Sequence, residues 1–114
     1  MGYYTHHELK VIEGEIHDPI TNEILDNEQV AELITNFCDY DYPLYFGEEC
    51  KGYDRDKIMK NFSMKYPDVV FKIIGAGEED GDLWEAYYRN GKKQYCPAII
   101  AYDPFDPGKL VNIK

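Results

Sequence analysis

The sequence lacks the long hydrophobic runs that membrane proteins and secreted precursors carry. No apolar stretch approaches the roughly 20 residues needed to span a bilayer. The opening segment, MGYYTHHELK, lacks the apolar centre of a signal peptide. Gly2 is followed by Tyr, Tyr, Thr and His, which does not match a myristoylation signal. We therefore expect a cytoplasmic protein that makes no contact with a membrane.

Cysteine is scarce, and its spacing does not suggest a metal site. The chain contains three cysteines, at Cys38, Cys50 and Cys96, without a C-x-x-C pair and without a histidine close by in sequence. This pattern favours buried thiols in a reducing compartment. His6 and His7 are adjacent on a predicted strand, so they point to opposite faces and cannot chelate one metal together. We expect no metal and no cofactor.

Recognised catalytic motifs are also missing. The sequence has no nucleophile elbow, no metal-binding helix motif and no kinase motif. Gly75-Ala76-Gly77 is half of a phosphate-binding fingerprint, but carboxylates follow it where a helix N-terminus would be needed. A nucleophilic Cys–His pair would require Cys50 or Cys96 beside a histidine, and a buried structural cysteine is the commoner outcome. We predict a non-catalytic protein without catalytic residues.

Basic residues are too few to balance the acidic ones. The chain has 22 acidic and 12 basic residues, which gives a net charge of −10. Such a field repels nucleic acids and membrane surfaces, and it attracts basic proteins or cations. Solubility alone also accounts for an acidic composition. The charge therefore argues against direct nucleic-acid binding and leaves open whether the acidity has a function.

The residues that are present predict one α+β domain over residues 1–114. Apolar periodicity predicts the element order β-α-β-α-β-β-β. The predicted strands cover residues 3–12, 44–53, 69–74, 82–89 and 94–102. One helix is capped by Asp26, with Gln29 completing a capping box. The second is capped by Asp54 and ended by Pro67.

The centre of the predicted sheet is residues 68–92, DVVFKIIGAGEEDGDLWEAYYRNGK. Alternation places Val69, Phe71 and Ile73 on one face of the first strand. In the second strand it places Trp84, Ala86 and Tyr88 on one face. A Gly-rich acidic loop reverses the chain between these strands, and Asn90-Gly91 reverses it again. The segment therefore predicts an antiparallel meander.

The elements together predict a two-layer α+β sandwich. A mostly antiparallel sheet of about five strands would carry both amphipathic helices on the face that presents Leu9, Phe71 and Trp84. The nearest common arrangement is the split-βαβ or ferredoxin-like layout. The segment DPFDPGKLVNIK, with its two Asp-Pro dipeptides, is expected to be an irregular cover.

The run SMKYPDVVFKIIGAGEEDGDLWEAYYRNGK resembles a pattern in small proteins of bacteriophages and mobile elements. In those proteins a helix ends at Tyr-Pro or His-Pro, and a D-V-x-F strand, a G-x-G-E-E-x-G-D-x-W hairpin and an N-G-K turn follow. The preceding GEECKGYDRDKIMKNFS resembles their strand–helix unit, although they often carry Trp where this chain has Gly52. The resemblance covers Glu48 to Lys92. It implies a small α+β domain of phage or prophage origin, and it carries over no catalytic site.

Tyrosine is abundant, and several tyrosines stand beside acidic residues. Among the 11 tyrosines, those of the stretch CDYDYPLYF combine a large rigid ring with neighbouring negative charge, as residues at protein interfaces do. The alternative is that tyrosine fills a half-exposed sheet. The predicted partner-binding residues are Asp39, Tyr40, Asp41, Tyr42, Glu78, Glu79, Asp80, Asp82 and Tyr87.

These features lead to two functional hypotheses. The first is a non-catalytic, phage-encoded acidic inhibitor of a host defence or nucleic-acid-handling protein, of the anti-CRISPR or anti-restriction type. Its partner would be a basic host protein, such as a defence nuclease. The second is a small ligand- or cation-binding domain, or a hydrolase, that uses the carboxylates of the acidic loop. The sequence leaves the oligomeric state open, with a dimer as one alternative.

Overall fold

The computed structural model describes residues 3–37 and 41–113 and shows a five-stranded antiparallel sheet with two helices. The strands are β1 (Thr5–Glu13), β2 (Glu49–Cys50), β3 (Val70–Gly77), β4 (Leu83–Arg89) and β5 (Lys92–Pro97). The helices are α1 (Asn27–Phe37) and α2 (Arg55–Lys65), and one turn of 3₁₀ helix lies at Pro107–Lys109. The predicted α+β two-layer fold is confirmed.

The first strand lies inside the sheet. The strand order is β2-β1-β3-β4-β5, and every neighbouring pair is antiparallel. Because β1 is antiparallel to both β2 and β3, those two strands run parallel to each other, and α2 connects them. This is the split βαβ unit of the ferredoxin-like layout. The element order around it, with α1 before β2 and the extra strand β5, differs from β-α-β-β-α-β.

The capping box predicted for α1 is present. Gln29 N donates to Asp26 Oδ1 at 2.8 Å, and Asp26 N donates to Gln29 Oε1 at 2.9 Å. Val30 and Ile34 are buried against the sheet, whereas Leu33, at the edge of the same stripe, is 37% exposed. The buried stripe of α1 is therefore narrower than the one predicted from the spacing i, i+3, i+4 and i+7 of Val30, Leu33, Ile34 and Phe37.

Asp54 occupies the N-cap position of α2, as predicted, but its side chain does not cap the helix. Its Oδ2 accepts a hydrogen bond from Tyr42 N at 3.1 Å instead. Helix α2 is held by its inner face, on which Ile58, Met59 and Phe62 are buried. The carboxylate of Asp54 thus ties the loop before β2 to the beginning of α2.

The core lies between the helices and the inward face of the sheet. The two central strands present the residues that alternation predicts, and these are buried: Val69, Phe71, Ile73, Trp84, Ala86 and Tyr88. The ring of Phe62 contacts those of Phe37 and Phe71 edge-on, each at a centroid distance of 5.5 Å. Burial of such aromatic rings supplies much of the favourable free energy of a small domain.

Both predicted chain reversals are present. The Asn90-Gly91 turn has φ of 48° at Asn90 and 76° at Gly91. Positive φ at both positions is what a two-residue type I′ hairpin requires. The turn brings Arg89 opposite Lys92 and sets the register of β4 and β5.

Two predicted strands are shorter in the structure than in the prediction. The strand predicted for residues 44–53 is reduced to Glu49–Cys50, because Gly47 adopts a φ of 79° and takes the chain out of the extended conformation. The last strand ends at Pro97 on the edge of the sheet. Proline has no N–H and so cannot donate a hydrogen bond to a further strand.

The expectation that the segment DPFDPGKLVNIK covers the rest of the domain is wrong. Ala98 N still donates to Leu83 O at 2.8 Å and Ile100 lies beside Gly81, but residues 98–113 are all exposed and do not cover the sheet. None of the helices in the described part of the chain is long and apolar enough to cross a membrane.

Trp84 is a sensitive position of the core, because it is 6% exposed and its ring lies directly on Gly75. We expect Trp84→Ala to lower the free energy of unfolding by about 3–5 kcal/mol, as large aromatic truncations in cores do. Urea denaturation would measure the loss. Leu83→Ala is the matched control, because Leu83 is 49% exposed on the opposite face and should lose about 1 kcal/mol or less. Equal losses in the two variants would show that the faces are assigned wrongly.

Candidate functional site

The acidic loop between β3 and β4 is a closed, ordered turn. Gly77 N donates to Asp82 O at 2.9 Å, and Asp82 N donates to Glu79 O at 3.1 Å. The side chains of Glu78, Glu79 and Asp80 are exposed, and they form no salt bridge with any described residue. The loop therefore presents uncompensated negative charge on a fixed backbone.

Tyr3 joins this loop to the body of the protein. Its hydroxyl donates to Asp82 Oδ2 and accepts from Glu79 N at 3.2 Å. The hydrogen bond to Asp82 raises the pKa of Tyr3 above its usual value. Tyr3 N donates in turn to Tyr53 Oη at 2.8 Å. Asp82, which was predicted to bind a partner together with Glu78, Glu79 and Asp80, therefore holds the loop through Tyr3.

The second predicted patch lies at the other end of this chain of tyrosines. The ring of Tyr53 contacts the ring of Tyr42 at a centroid distance of 4.9 Å. Asp41 beside it is exposed, whereas Asp39 and Tyr40 lie outside the described residues. Tyr3 and Tyr53 therefore connect two acidic segments that are far apart in sequence.

A shallow groove of about 440 Å³ continues this surface. Tyrosine rings and carboxylates form most of its lining, together with one cation, Lys51, whose ammonium lies 5.9 Å from the centroid of the Tyr42 ring. We use the name acidic tyrosine surface for the following residues: Tyr3, Tyr4, Asp41, Tyr42, Tyr45, Glu48, Glu49, Tyr53, Glu78, Glu79 and Asp80. Tyr3, Tyr4 and Tyr53 were not predicted, because only the fold brings them beside the acidic segments. Tyr45, Glu48 and Glu49 follow Asp39 to Tyr42 closely in sequence and were also not among the predicted residues.

Tyr87 lies elsewhere. Its side chain is half-buried on the open face of the sheet, opposite the helices. There the ammonium of Lys72 lies 5.8 Å from its ring centroid and 3.3 Å from Glu85 Oε2. The structure does not bring Tyr87 together with the other predicted partner-binding residues.

A buried polar cluster beneath the acidic tyrosine surface was not predicted as a unit. His7 is fully buried on the inward face of β1. Its Nε2 lies 2.7 Å from Arg55 Nη1, and its Nδ1 lies 3.6 Å from Cys50 Sγ. The inward position of His7 was visible in the alternation of the strand, but its two partners were not.

The cluster contains a Cys–His pair, but its protonation does not suit nucleophilic catalysis. Arginine only donates hydrogen bonds, so His7 Nε2 accepts and the ring proton is on Nδ1, towards Cys50. The thiol donates a hydrogen bond to Tyr45 O at 3.7 Å. Burial, and then the charge of Arg55, lower the pKa of His7 to about 4. A neutral His7 with its proton on Nδ1 cannot remove the thiol proton.

Arg55 also borders a cleft of about 380 Å³. Its guanidinium carbon lies 4.4 Å from the centroid of the Trp84 ring, and its buried Nε has no hydrogen-bond partner among the described residues. Asp56, also in the cleft, accepts from Tyr88 Oη at 2.8 Å and Lys93 Nζ at 2.9 Å. Although partial burial opposes it, these bonds lower the pKa of Asp56. The cleft therefore combines engaged carboxylates with an arginine that has no carboxylate within salt-bridge distance among the described residues.

Within the two described ranges, no three His, Cys, Asp or Glu side chains are grouped so that they could hold a metal ion. Comparison with protein-family models, curated proteins and solved structures found no match to this chain.

His7 should make stability depend on pH. Its pKa is about 4 in the folded state and 6.5 when unperturbed, so the unfolded state binds more protons between these values. We expect the free energy of unfolding to fall as the pH drops from 6.5 towards 4, by about 3 kcal/mol in total. Urea denaturation across this range would measure it. His7→Gln should remove this dependence of the free energy of unfolding on pH. His17→Gln, in the exposed loop after β1, should retain it. An unchanged slope in His7→Gln would contradict the assignment.

Proposed function

We propose that this protein is a non-catalytic binding protein that engages a basic partner protein through its acidic tyrosine surface. One observation carries the proposal. Tyr3 bonds to the acidic loop through its hydroxyl and to Tyr53 through its backbone N–H, and Tyr53 contacts Tyr42. Two acidic segments thereby form one surface. A continuous surface of this kind can contact a partner at several points at once.

The chemistry of the surface suits a partner rich in lysine and arginine. Tyrosine rings offer large contact area with few rotatable bonds, so little conformational entropy is lost on binding. The exposed carboxylates of Glu78, Glu79 and Asp80 attract positive charge and accelerate encounter. The ring contact between Tyr42 and Tyr53 and the hydrogen bonds of Tyr3 hold part of the surface in place before a partner arrives.

The state of His7 and Cys50 supports a role without catalysis. His7 is not exposed and Cys50, at the wall of the 440 Å³ groove, is only 8% exposed, so the pair presents little surface to a substrate. The hydrogen bond from Arg55 occupies the nitrogen that a general base would use to shuttle a proton onward. The buried cluster thus has a structural explanation as a support beneath the surface.

The partner we propose is a nucleic-acid-handling protein of a host cell, such as a defence nuclease. A protein that binds the nucleic-acid backbone carries clustered lysine and arginine, and an acidic surface could occupy that site. The resemblance of Glu48 to Lys92 to small phage proteins supports a phage-encoded inhibitor of the anti-CRISPR or anti-restriction type. Such an inhibitor would act in the host cytoplasm and would not bind nucleic acid itself.

A second candidate function is the binding of a small anion in the Arg55 cleft. The observation that favours it is the buried Arg55 Nε without a hydrogen-bond partner among the described residues, beside carboxylates that are already engaged. Calorimetry with inorganic phosphate and with succinate would test it. Arg55→Gln should abolish the heat of binding, and Arg89→Gln, at the far end of β4, should retain it. No heat with either ligand would eliminate this candidate.

The acidic tyrosine surface makes a specific prediction for partner binding. We expect Glu78→Lys/Glu79→Lys to slow association with a partner captured from host lysate by at least about tenfold, because the attraction that accelerates encounter is reversed. Biosensor kinetics at two salt concentrations would measure it. Wild-type association should slow as salt rises, since exposed charges are screened beyond about 8 Å at physiological ionic strength.

The matched control is Glu13→Lys/Asp68→Lys. It makes the same change in net charge at the opposite end of β1 and β3, about 25 Å along the strand. It should retain most of the association rate. Equal slowing in both variants would mean that only the net charge matters, and no slowing in either would eliminate the proposed surface.

A further inference from the structure

Residues 98–113, which we call the arm, carry large apolar side chains that the rest of the chain does not cover. Ile99 and Ile113 are at least 95% exposed, and Tyr102, Phe105, Leu110 and Val111 are mostly exposed. The radius of gyration is 18.1 Å, against about 13 Å for a compact chain of this length. An exposed apolar segment of this kind is typical of an interaction element.

The sheet has an unpaired position at the edge of β1. Strand β2 pairs only with Thr5 and His6. Beyond it, His7 O accepts from Gly47 N at 2.9 Å, and Val11 N donates to Asn27 Oδ1 at 2.9 Å. Alternate residues of a strand direct their backbone groups to the same side, so the N–H and C=O of Leu9 also face this edge. Neither has a hydrogen-bond partner in the described part of the chain.

A groove of about 530 Å³ opens at this position. Leu9, Ala31 and Phe46 form its apolar part. The exposed carboxylates of Glu8, Glu28 and Glu32 border it. The groove therefore combines a free strand edge, an apolar floor and a negative border, and it fits a short extended segment that is apolar and basic.

The arm contains such a segment. Its residues 109–113 read KLVNI and Lys114 follows in the sequence, so that apolar side chains stand between two lysines without proline. Lys109 N and Leu110 N donate within the 3₁₀ turn, whereas the N–H groups of residues 111–113 have no hydrogen-bond partner in the described part of the chain. Pro104 and Pro107 restrict the preceding residues and do not donate. Between the bonds at Gly47 and Asn27 the edge has room for about three or four extended residues.

We propose that residues 110–113 of a second copy of this chain occupy the groove as a short added strand, with Lys109 at its beginning. Two copies would exchange arms around a two-fold axis, so that each groove and each arm is used once. We choose this segment as the occupant because the positive charge of Lys109 is complementary to the carboxylates of Glu28 and Glu32. The groove lies at the edge of β1 and α1, and the proposal does not depend on the acidic tyrosine surface.

Full-length chain measured by analytical ultracentrifugation over a range of concentrations would test the exchange. We expect a monomer–dimer equilibrium for the wild type. Val111→Asp/Ile113→Asp should raise the dimer dissociation constant by at least about tenfold. Because both side chains are exposed in the single chain, this variant should have the same melting temperature as the wild type at concentrations where the wild type is monomeric.

A charge exchange makes the test specific. Glu28→Lys/Glu32→Lys and Lys109→Glu/Lys114→Glu should each weaken the dimer, and the combination of all four changes should restore it. Glu78→Lys/Glu79→Lys is the control on the other surface and should leave the dimer unchanged. Hydrogen exchange should show the Leu9 amide protected in the dimer and unprotected in Val111→Asp/Ile113→Asp.

Three results would overturn the proposal. They are a wild-type chain that stays monomeric at every concentration, a dimer that neither set of arm substitutions weakens, and a protected Leu9 amide in a monomer. The last would mean that the arm occupies the groove of its own chain. Loss of partner binding without loss of the dimer would affect only the proposed function.

Discussion

The contact between Trp84 and Gly75 is the constraint on which the packing at one end of the sheet depends. A Cβ at position 75 would lie 2.1 Å from the indole ring, so only glycine lets the ring lie against β3. The ring then meets His7 of β1 at 5.9 Å and carries the guanidinium of Arg55 at 4.4 Å. One aromatic side chain thereby links β1, β3, β4 and the beginning of α2.

The same contact also organises the buried polar residues beneath it. Arg55, held against Trp84, donates to His7 and fixes where the imidazole proton resides. His7 then points its N–H at Cys50, and the thiol finds an acceptor in Tyr45 O. Buried polar groups are costly when unsatisfied, and this chain of hydrogen bonds satisfies His7 and Cys50.

Two exterior surfaces have different physical character. The acidic tyrosine surface combines rigid rings with an excess of negative charge, and the groove beside β1 combines an apolar floor with an unpaired strand edge. An exchanged dimer would cover the strand edge, which is otherwise a site of uncontrolled pairing. It would also present two acidic tyrosine surfaces, and binding to a partner with two basic sites would become stronger through effective concentration.

The sequence by itself determined the features that depend on near neighbours. Alternation assigned the inward residues of β1, β3 and β4, and the capping box of Asp26 and the Asn90-Gly91 turn were also predicted correctly, because their geometry involves residues a few positions apart. Only the tertiary structure decided that residues 44–53 form a loop with a two-residue strand, and that the arm stays uncovered. It also decided the contacts of Tyr3 with Asp82 and of His7 with Arg55, which are 79 and 48 residues apart. These contacts depend on strand order and register, which local periodicity does not specify.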